Sequence, residues 1–218
     1  MKKEPVIKTK RMLLSPMSDQ EIEKLIETTE SEEMRIAYGE MLSGCKSDPG
    51  HRVWYAPWKM TLRSDHTYIG DLAYKGPAQE NTVEIGYGIL PEYEKNGYTT
   101  EAVQAMTQWA FGNPDVVFVL AETDPNNKAS QRVLEKCGFL PDGEGKEGPR
   151  FVLEQPLTTN WMAVYMLFGL SIGTALGSSG GNIGIGISLG LGVGLCIGAA
   201  LDLSTKRERE KLRERRRK

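Results

Sequence analysis

Between Leu90 and Thr99 the chain runs Glu94-Lys95-Asn96-Gly97-Tyr98-Thr99, a glycine-bearing turn between an apolar run and a helical stripe. The first N–H groups of a helix have no partner of their own, and the helix dipole adds partial positive charge there, so such a turn can hold a phosphate. Many strand-to-helix turns contain a glycine, however, and the turn alone defines no chemistry. Two carboxylates stand near it. Glu84 lies on the strand leading into the turn, on a face that Gly86 and Gly88 leave open, and Glu122 closes the next apolar run. Either can act as a general base, or be an ordinary solvated or ion-paired residue. Ser130, near the start of a later helix, can donate to a leaving group or cap the backbone.

These residues need elements to position them, and the periodicities supply them. Val6–Leu14 reads as a strand. Ser18 to Glu21 has the spacing of a capping box before a short helix marked by Ile22, Leu25 and Ile26. A second helix is expected from about Glu32 to Leu42, stopped by Ser43-Gly44. Three runs follow, His51–Leu62, Thr67–Tyr74 and Thr82–Leu90, joined by short turns that favour antiparallel pairing. After Pro91 the pattern changes to helix over Thr99–Phe111, a doubly buried strand over Val116–Ala121, helix over Lys128–Cys137 and a last strand at Phe151–Leu153. The aromatic residues Trp54, Tyr55 and Trp58 read as core, with an acceptor-pocket lining as the alternative.

The wider string is more specific than the turn. Glu84-Ile85-Gly86-Tyr87-Gly88-Ile89-Leu90-Pro91 leads into Gly97-Tyr98-Thr99-Thr100-Glu101-Ala102, followed by Asn126-Asn127-Lys128-Ala129-Ser130 and Val133-Leu134-Glu135-Lys136-Cys137-Gly138-Phe139. Over roughly residues 6–154 this resembles the GNAT superfamily, in particular its branch of ribosomal-protein N-acetyltransferases. The resemblance implies an α/β fold: a mixed, mostly antiparallel sheet flanked by helices. It also implies acetyl-CoA as co-substrate and a primary amine as acceptor, either a protein N-terminus or a small molecule. Ile89 and Leu90 would offer backbone groups to the pantetheine and the acetyl carbonyl. The turn Glu94, Lys95, Asn96, Gly97, Tyr98 and Thr99 would cradle the pyrophosphate, Asn127 would reach the coenzyme, and Ser130 would lie near the thioester sulfur. Two positions depart from the family pattern: Glu94 opens the turn in place of Arg or Gln, and Leu134 stands where many members carry a proton-donating Tyr. They keep a second reading open, a GNAT-like module that binds coenzyme or serves as a scaffold without catalysis.

The C-terminal segment has a different character. Residues 161–204 hold one charged side chain, Asp202, and Trp161–Leu201 is broken only at Ser178–Asn182. The flanking stretches are about 17 and 19 residues, close to what a bilayer-spanning helix needs. Gly169, Gly173 and Gly177 form one four-residue ladder; Gly186, Gly190, Gly194 and Gly198 form another. On helices each is a smooth stripe for a second backbone. The small–large alternation from Gly184 to Leu195 is also a strand pattern, but an isolated hairpin in lipid leaves unpaired edges, so two transmembrane helices are expected. The segment resembles the glycine-zipper hairpins appended to various bacterial proteins, which implies a lipid bilayer as partner and leaves open homo-oligomerisation, or a channel-like element.

Composition bounds the rest. The net charge of −2 divides into a domain of about −7 and a tail, Lys206–Lys218, of about +6. The acidic domain argues against nucleic acid as a partner. Two histidines and three scattered cysteines give no metal-ligand spacing, so no metal is expected. The opening residues carry no apolar run like that of a signal peptide. The basic tail places both termini on the cytosolic side of the membrane. The organisation expected is thus 1–156 acyltransferase domain, 157–204 hairpin and 205–218 basic tail.

Overall fold

The computed structural model describes residues 4–157 and 159–216; the first three residues, Thr158 and the last two of the basic tail, Arg217 and Lys218, lie outside the described residues. Tertiary contacts divide the chain into two units, Met1–Gln155 and Pro156–Lys218.

The first unit is built on strands β1 (Ile7–Lys8), β2 (Met12–Pro16), β3 (Trp58–Leu62), β4 (Tyr68–Tyr74), β5 (Thr82–Ile89), β6 (Phe118–Glu122), β7 (Leu140–Glu144) and β8 (Pro149–Glu154). They form one sheet in the order β1-β2-β3-β4-β5-β6-β8-β7. The pairs are antiparallel except β5 with β6, which run parallel. A parallel pair needs a crossover, and α3 (Tyr98–Phe111) supplies it. Helices α1 (Asp19–Thr28), α2 (Glu32–Ser47) and α4 (Lys128–Lys136) complete the unit. The mixed, mostly antiparallel sheet flanked by helices is the architecture expected from the sequence.

The two faces of the sheet have separate cores. Alternate residues of the central strands, among them Met60, Leu72, Tyr74, Val83 and Ile85, join Ala102, Val103 and Met106 of α3 and Leu134 of α4. Trp54, Trp58, Tyr74 and Trp109 stack within this core, so Trp54 and Trp58 are packing residues. On the other face, Ile22 of α1 and Tyr38, Leu42 and Cys45 of α2 gather with Met17 and Ala56, and Tyr55 packs against them. Ser18 and Glu21 form the expected capping box at the start of α1.

Several boundaries differ from the sequence reading, each for a local reason. The first strand is a tight hairpin, β1 and β2, closed by Thr9, whose N–H and hydroxyl both bond the carbonyl of Met12. α2 runs through Gly44 to Ser47 instead of stopping there. Gly44 is where the ring of Tyr55 lies against the helix: an added Cβ would meet Tyr55 Cγ at 2.8 Å. His51–Leu62 is not one strand, because Asp48 and Pro49 start a 3₁₀ turn over Pro49–Trp54 and β3 begins at Trp58. Strand β7, rich in charge and glycine, gave no strand signal; it pairs with β8 across an irregularity between Pro141 and Glu144.

In the second unit α5 (Trp161–Ser179) and α6 (Ile183–Arg216) are antiparallel helices, and α6 continues into the basic tail as far as Arg216. The strand alternative is not realised. Backbones touch through the glycines: a Cβ on Gly177 would meet Gly186 Cα at 3.0 Å, and one on Gly173 would meet Gly190 Cα at 3.0 Å. Asp202 accepts the N–H groups of Trp161 (2.9 Å) and Met162 (3.2 Å), and Asn160 caps the same helix start. The large apolar side chains Leu167, Phe168, Ile172, Leu176, Ile185 and Leu189 point outward and are exposed.

Candidate active site

The C-terminal ends of the parallel strands β5 and β6 each lead to a helix start. Between them lies a cleft of about 770 Å³ lined by Tyr87, Gly88 and Ile89 of β5, by the turn Glu94–Gly97 with Thr99 and Thr100, and by Asn127, Ala129, Ser130, Arg132, Val133 and Lys136. The strands bring together most of the residues that the sequence singled out. Tyr98 and Leu90 adjoin this lining in sequence without being part of it.

The turn is shaped for an anion. Gly97 takes φ +76° and Lys95 φ +61°, the left-handed region that a Cβ makes costly. Gly97 is the N-cap of α3 and supplies no side-chain bond. The backbone N–H groups from Lys95 through Thr100 meet no acceptor among the described residues. Such a run of free donors at a helix start is a site for phosphate. Glu94 brings negative charge, but Lys95, Arg132 and Lys136 share the lining. Arg132 and Lys136 are four apart on α4, so both fall on one helix face. That spacing is in the sequence and gained meaning only once the face was known to look into the cleft.

A residue far away in sequence holds the turn. Arg11, between β1 and β2, donates from Nη1 to the carbonyl of Asn96 (2.8 Å) and from Nε to Glu101 (2.7 Å), while its backbone N–H bonds the same carboxylate (2.8 Å). Its guanidinium lies 4.3 Å from the centre of the Tyr98 ring. Burial pushes the Glu101 carboxyl up, but bonds from Thr9 and Arg11 outweigh it and hold the group below its ordinary value.

Across the cleft, Asn127 caps α4 by accepting the N–H of Ser130 at 2.9 Å. Ser130 Oγ sits 2.9 Å from the hydroxyl of Tyr87. Burial pushes the Tyr87 phenol up to about 12, so it keeps its proton at neutral pH. Leu134 is fully buried in the core. Tyr87 therefore brings a phenol to Ser130 from the strand side; its position in the strand alternation gave no sign of this. Cys137 is part-buried, and burial pushes its thiol up to about 11, away from the nucleophilic thiolate form.

The two glutamates are placed elsewhere. Glu84 is at the opposite end of β5, about 16 Å from Ile89 at the strand rise per residue. It forms an ion pair with Lys75 at 2.5 Å, and Lys75 also reaches Glu147 at 2.7 Å. Glu122 accepts the N–H groups of Lys146 (2.9 Å) and Glu147 (3.1 Å) and so fastens the β7–β8 turn. Neither lines the cleft. Among the described residues no group of three or more His, Cys, Asp or Glu could hold a metal ion.

Strand β5 pairs with β6 only from Thr82 to Glu84, so beyond that point the two strands part around the cleft, which makes this an α/β domain with a site for a phosphate-bearing ligand. The chain belongs to the acetyltransferase (GNAT) domain family, whose model matches residues 9–140. It is 26% identical over 150 residues to the uncharacterised N-acetyltransferase YoaA of Bacillus subtilis, covering 64% of this chain and 85% of that one. Two further Bacillus subtilis relatives match over only 54% and 48% of their own length. Among solved structures it resembles the ribosomal-protein-S5-alanine acetyltransferase of Vibrio fischeri (TM-score 0.55, 15% identity, 70% of this chain and 96% of that one). It also resembles Mycobacterium smegmatis RimJ in complex with CoA-disulfide (TM-score 0.53, 15% identity, 68% and 86%). The first unit is thus a GNAT N-acetyltransferase domain, of a family that uses acetyl-CoA.

Proposed function

We propose that this chain moves the acetyl group of acetyl-CoA to a primary amine, either a protein N-terminus or a small molecule, and does so at the cytosolic face of a membrane. The observation that carries the first half is the run of free N–H groups from Lys95 to Thr100, clamped by Arg11 and facing Arg132 and Lys136. The pyrophosphate binds there, the pantetheine runs along Ile89 and Leu90, and Asn127 borders the coenzyme. Acyl transfer needs a free amine, a polarised carbonyl and a leaving thiolate. Ser130, backed by Tyr87, donates to the sulfur as the carbon–sulfur bond breaks. Glu84 and Glu122 are held by Lys75 and by the β7–β8 turn, so their part is to shape the strands around the cleft. The test is release of thiol from acetyl-CoA by the full chain with peptides bearing a free N-terminus and with simple alkylamines. Thiol release matched by N-acetylated product is expected; no product with either class would leave the coenzyme-binding scaffold as the function.

The second half rests on α5 and α6. Both are long and apolar enough to cross a membrane, with mean hydropathies of 1.4 and 2.0, and only 11% of each such stretch is buried. A water-soluble helix pair hides its large side chains; here glycines are inside and Leu, Ile and Phe outside. In this reading residues 157–204 are the hairpin, 1–156 the enzyme domain and 205–218 a cytosolic basic tail, with both termini on one side. Fractionation is the check: the full chain stays with membranes through high salt and alkaline carbonate, whereas release by salt alone would reduce the segment to a surface-bound one.

A further inference from the structure

Strands β4 and β5 pair in a register that sets Asp71 opposite Gly88, Ala73 opposite Gly86 and Tyr74 opposite Ile85. Directly paired residues point to the same face. Tyr74, Val83 and Ile85 face the α3 core, so Asp71, Gly86 and Gly88 face the other way, toward α2. Helix α2 stops short of β5 on this face: Gly86 and Gly88 are exposed, and a Cβ on either would find nothing within 4 Å. A glycine floor is therefore open beside a carboxylate. Gly88 also lines the coenzyme cleft. The space above it thus borders the place where the acetyl group arrives in the proposed function, on which this inference rests.

The carboxylate is held on one side only. Tyr38 of α2 and Tyr68 of β4 both donate to Asp71 Oδ2, at 3.0 and 2.6 Å. Oδ1 has no hydrogen-bond partner among the described residues, yet it is not sealed from solvent. Lys59 pairs with Asp71 across β3 and β4, but its ammonium is taken by Glu21 of α1. Among the described residues no cation pairs with Asp71, and burial raises its pKa more than the two tyrosine bonds lower it. Packing alone would be served as well by an apolar side chain, since a partly buried acid with one free oxygen costs desolvation.

We propose that Asp71 binds the acceptor: its free Oδ1 receives the ammonium group of a primary amine over the floor formed by Gly86 and Gly88, next to the thioester. The recognised chemistry is a protonated primary amine, because the carboxylate supplies an acceptor with negative charge and the floor without side chains lets the ammonium and its first carbon approach it.

The test needs no knowledge of the natural acceptor. S-(2-aminoethyl)-CoA carries an ammonium two carbons from sulfur, and S-ethyl-CoA is its neutral counterpart. Titrated into the full chain in detergent at pH 8, the amino compound should bind about 10-fold more tightly, as for one charge-assisted bond. Asp71→Asn should abolish that preference while leaving S-ethyl-CoA affinity unchanged, and Glu84→Gln should retain it. The preference should fade as pH falls and Asp71 takes a proton. Tyr38→Phe removes a donor that favours the carboxylate, so the fade should then occur at higher pH; this holds even if Asp71→Asn does not fold. Equal affinities in the wild type, a preference that survives Asp71→Asn, or one lost in Glu84→Gln would overturn the assignment. Failure of both compounds to bind would instead overturn the coenzyme reading, and the amine site with it.

Discussion

Tyr87 and Ser130 meet hydroxyl to hydroxyl, 2.9 Å apart, one from the end of β5 and the other from the first turn of α4. Two elements that converge only in the folded chain thus present a pair of O–H groups to the cleft. A developing thiolate is stabilised by such fixed donors, and removing one typically costs about 10²-fold or more in rate. Ser130→Ala and Tyr87→Phe should each lower kcat by about 10²-fold, and the double variant should fall little further, because the two act as a unit. Since burial pushes the Tyr87 phenol up to about 12, its ionisation should not appear in the pH–rate profile across the neutral range.

Arg11 should act on coenzyme binding and not on chemistry. Arg11→Ala frees the Asn96 carbonyl and the Glu101 carboxylate, so the KM for acetyl-CoA should rise about 10-fold with kcat changed less than about 2-fold. Arg11→Lys should recover part of the loss, since it keeps charge but not the fork. The Glu101 carboxyl is depressed in the folded chain. Its contribution is therefore complete above the ordinary carboxylate pKa and is lost as pH falls through the lower folded value. Acid titration of thermal stability in wild type and Glu101→Gln should diverge above that window and converge below it.

Glu84 and Glu122 separate by measurement. Glu84→Gln breaks a partly exposed ion pair with Lys75 and should change turnover by less than about 3-fold. Glu122→Ala leaves two N–H groups of the β7–β8 turn without their acceptor and should cost about 1–2 kcal/mol of stability, read from a shift in denaturant midpoint. A large loss of turnover in Glu84→Gln with stability unchanged would return that residue to the chemistry.

The order of strands and helices from Thr82 to Cys137 was legible because period and punctuation agree there: Gly97, Gly112 and Gly138 mark the ends that the structure realises. The turn Glu94–Thr99 was legible as a strand-to-helix turn for the same reason. What the sequence hid was convergence. Arg11 lies 85 residues from Asn96, and neither Asp71 nor Tyr87 carries a local sign of its partner. Glu84 drew attention because it shares a face with Gly86 and Gly88. The carboxylate at its open end is Asp71, contributed by the neighbouring strand through register, which no single-strand pattern reveals. Gly44 misled differently, since its missing Cβ makes room for Tyr55 and does not end a helix.

The glycine contacts of the hairpin make a prediction independent of catalysis. A Cβ on Gly190 would meet Gly173 Cα at 2.9 Å, backbone against backbone. Gly190→Leu should therefore force α5 and α6 apart, lowering the thermal stability of that unit in detergent or changing its oligomeric state. Acetyl transfer should remain within about 2-fold, since mutations in separate units act independently. Unchanged behaviour in detergent would mean that the helices do not pack through this face.

The most direct test of the account is a calorimetric titration of CoA into the full chain and into Gly97→Val. Gly97 holds φ +76°, where a β-branched residue is strained, so the variant should displace the N–H groups of the turn and little else. Saturable one-to-one binding is expected in the wild type, and affinity weakened by about 10-fold or more in Gly97→Val, whose strain should lower the melting temperature of the free protein by a few degrees while leaving it folded. No heat at about millimolar CoA, the weakest affinity that would still register as specific, would contradict the account, as would equal affinity in the two proteins.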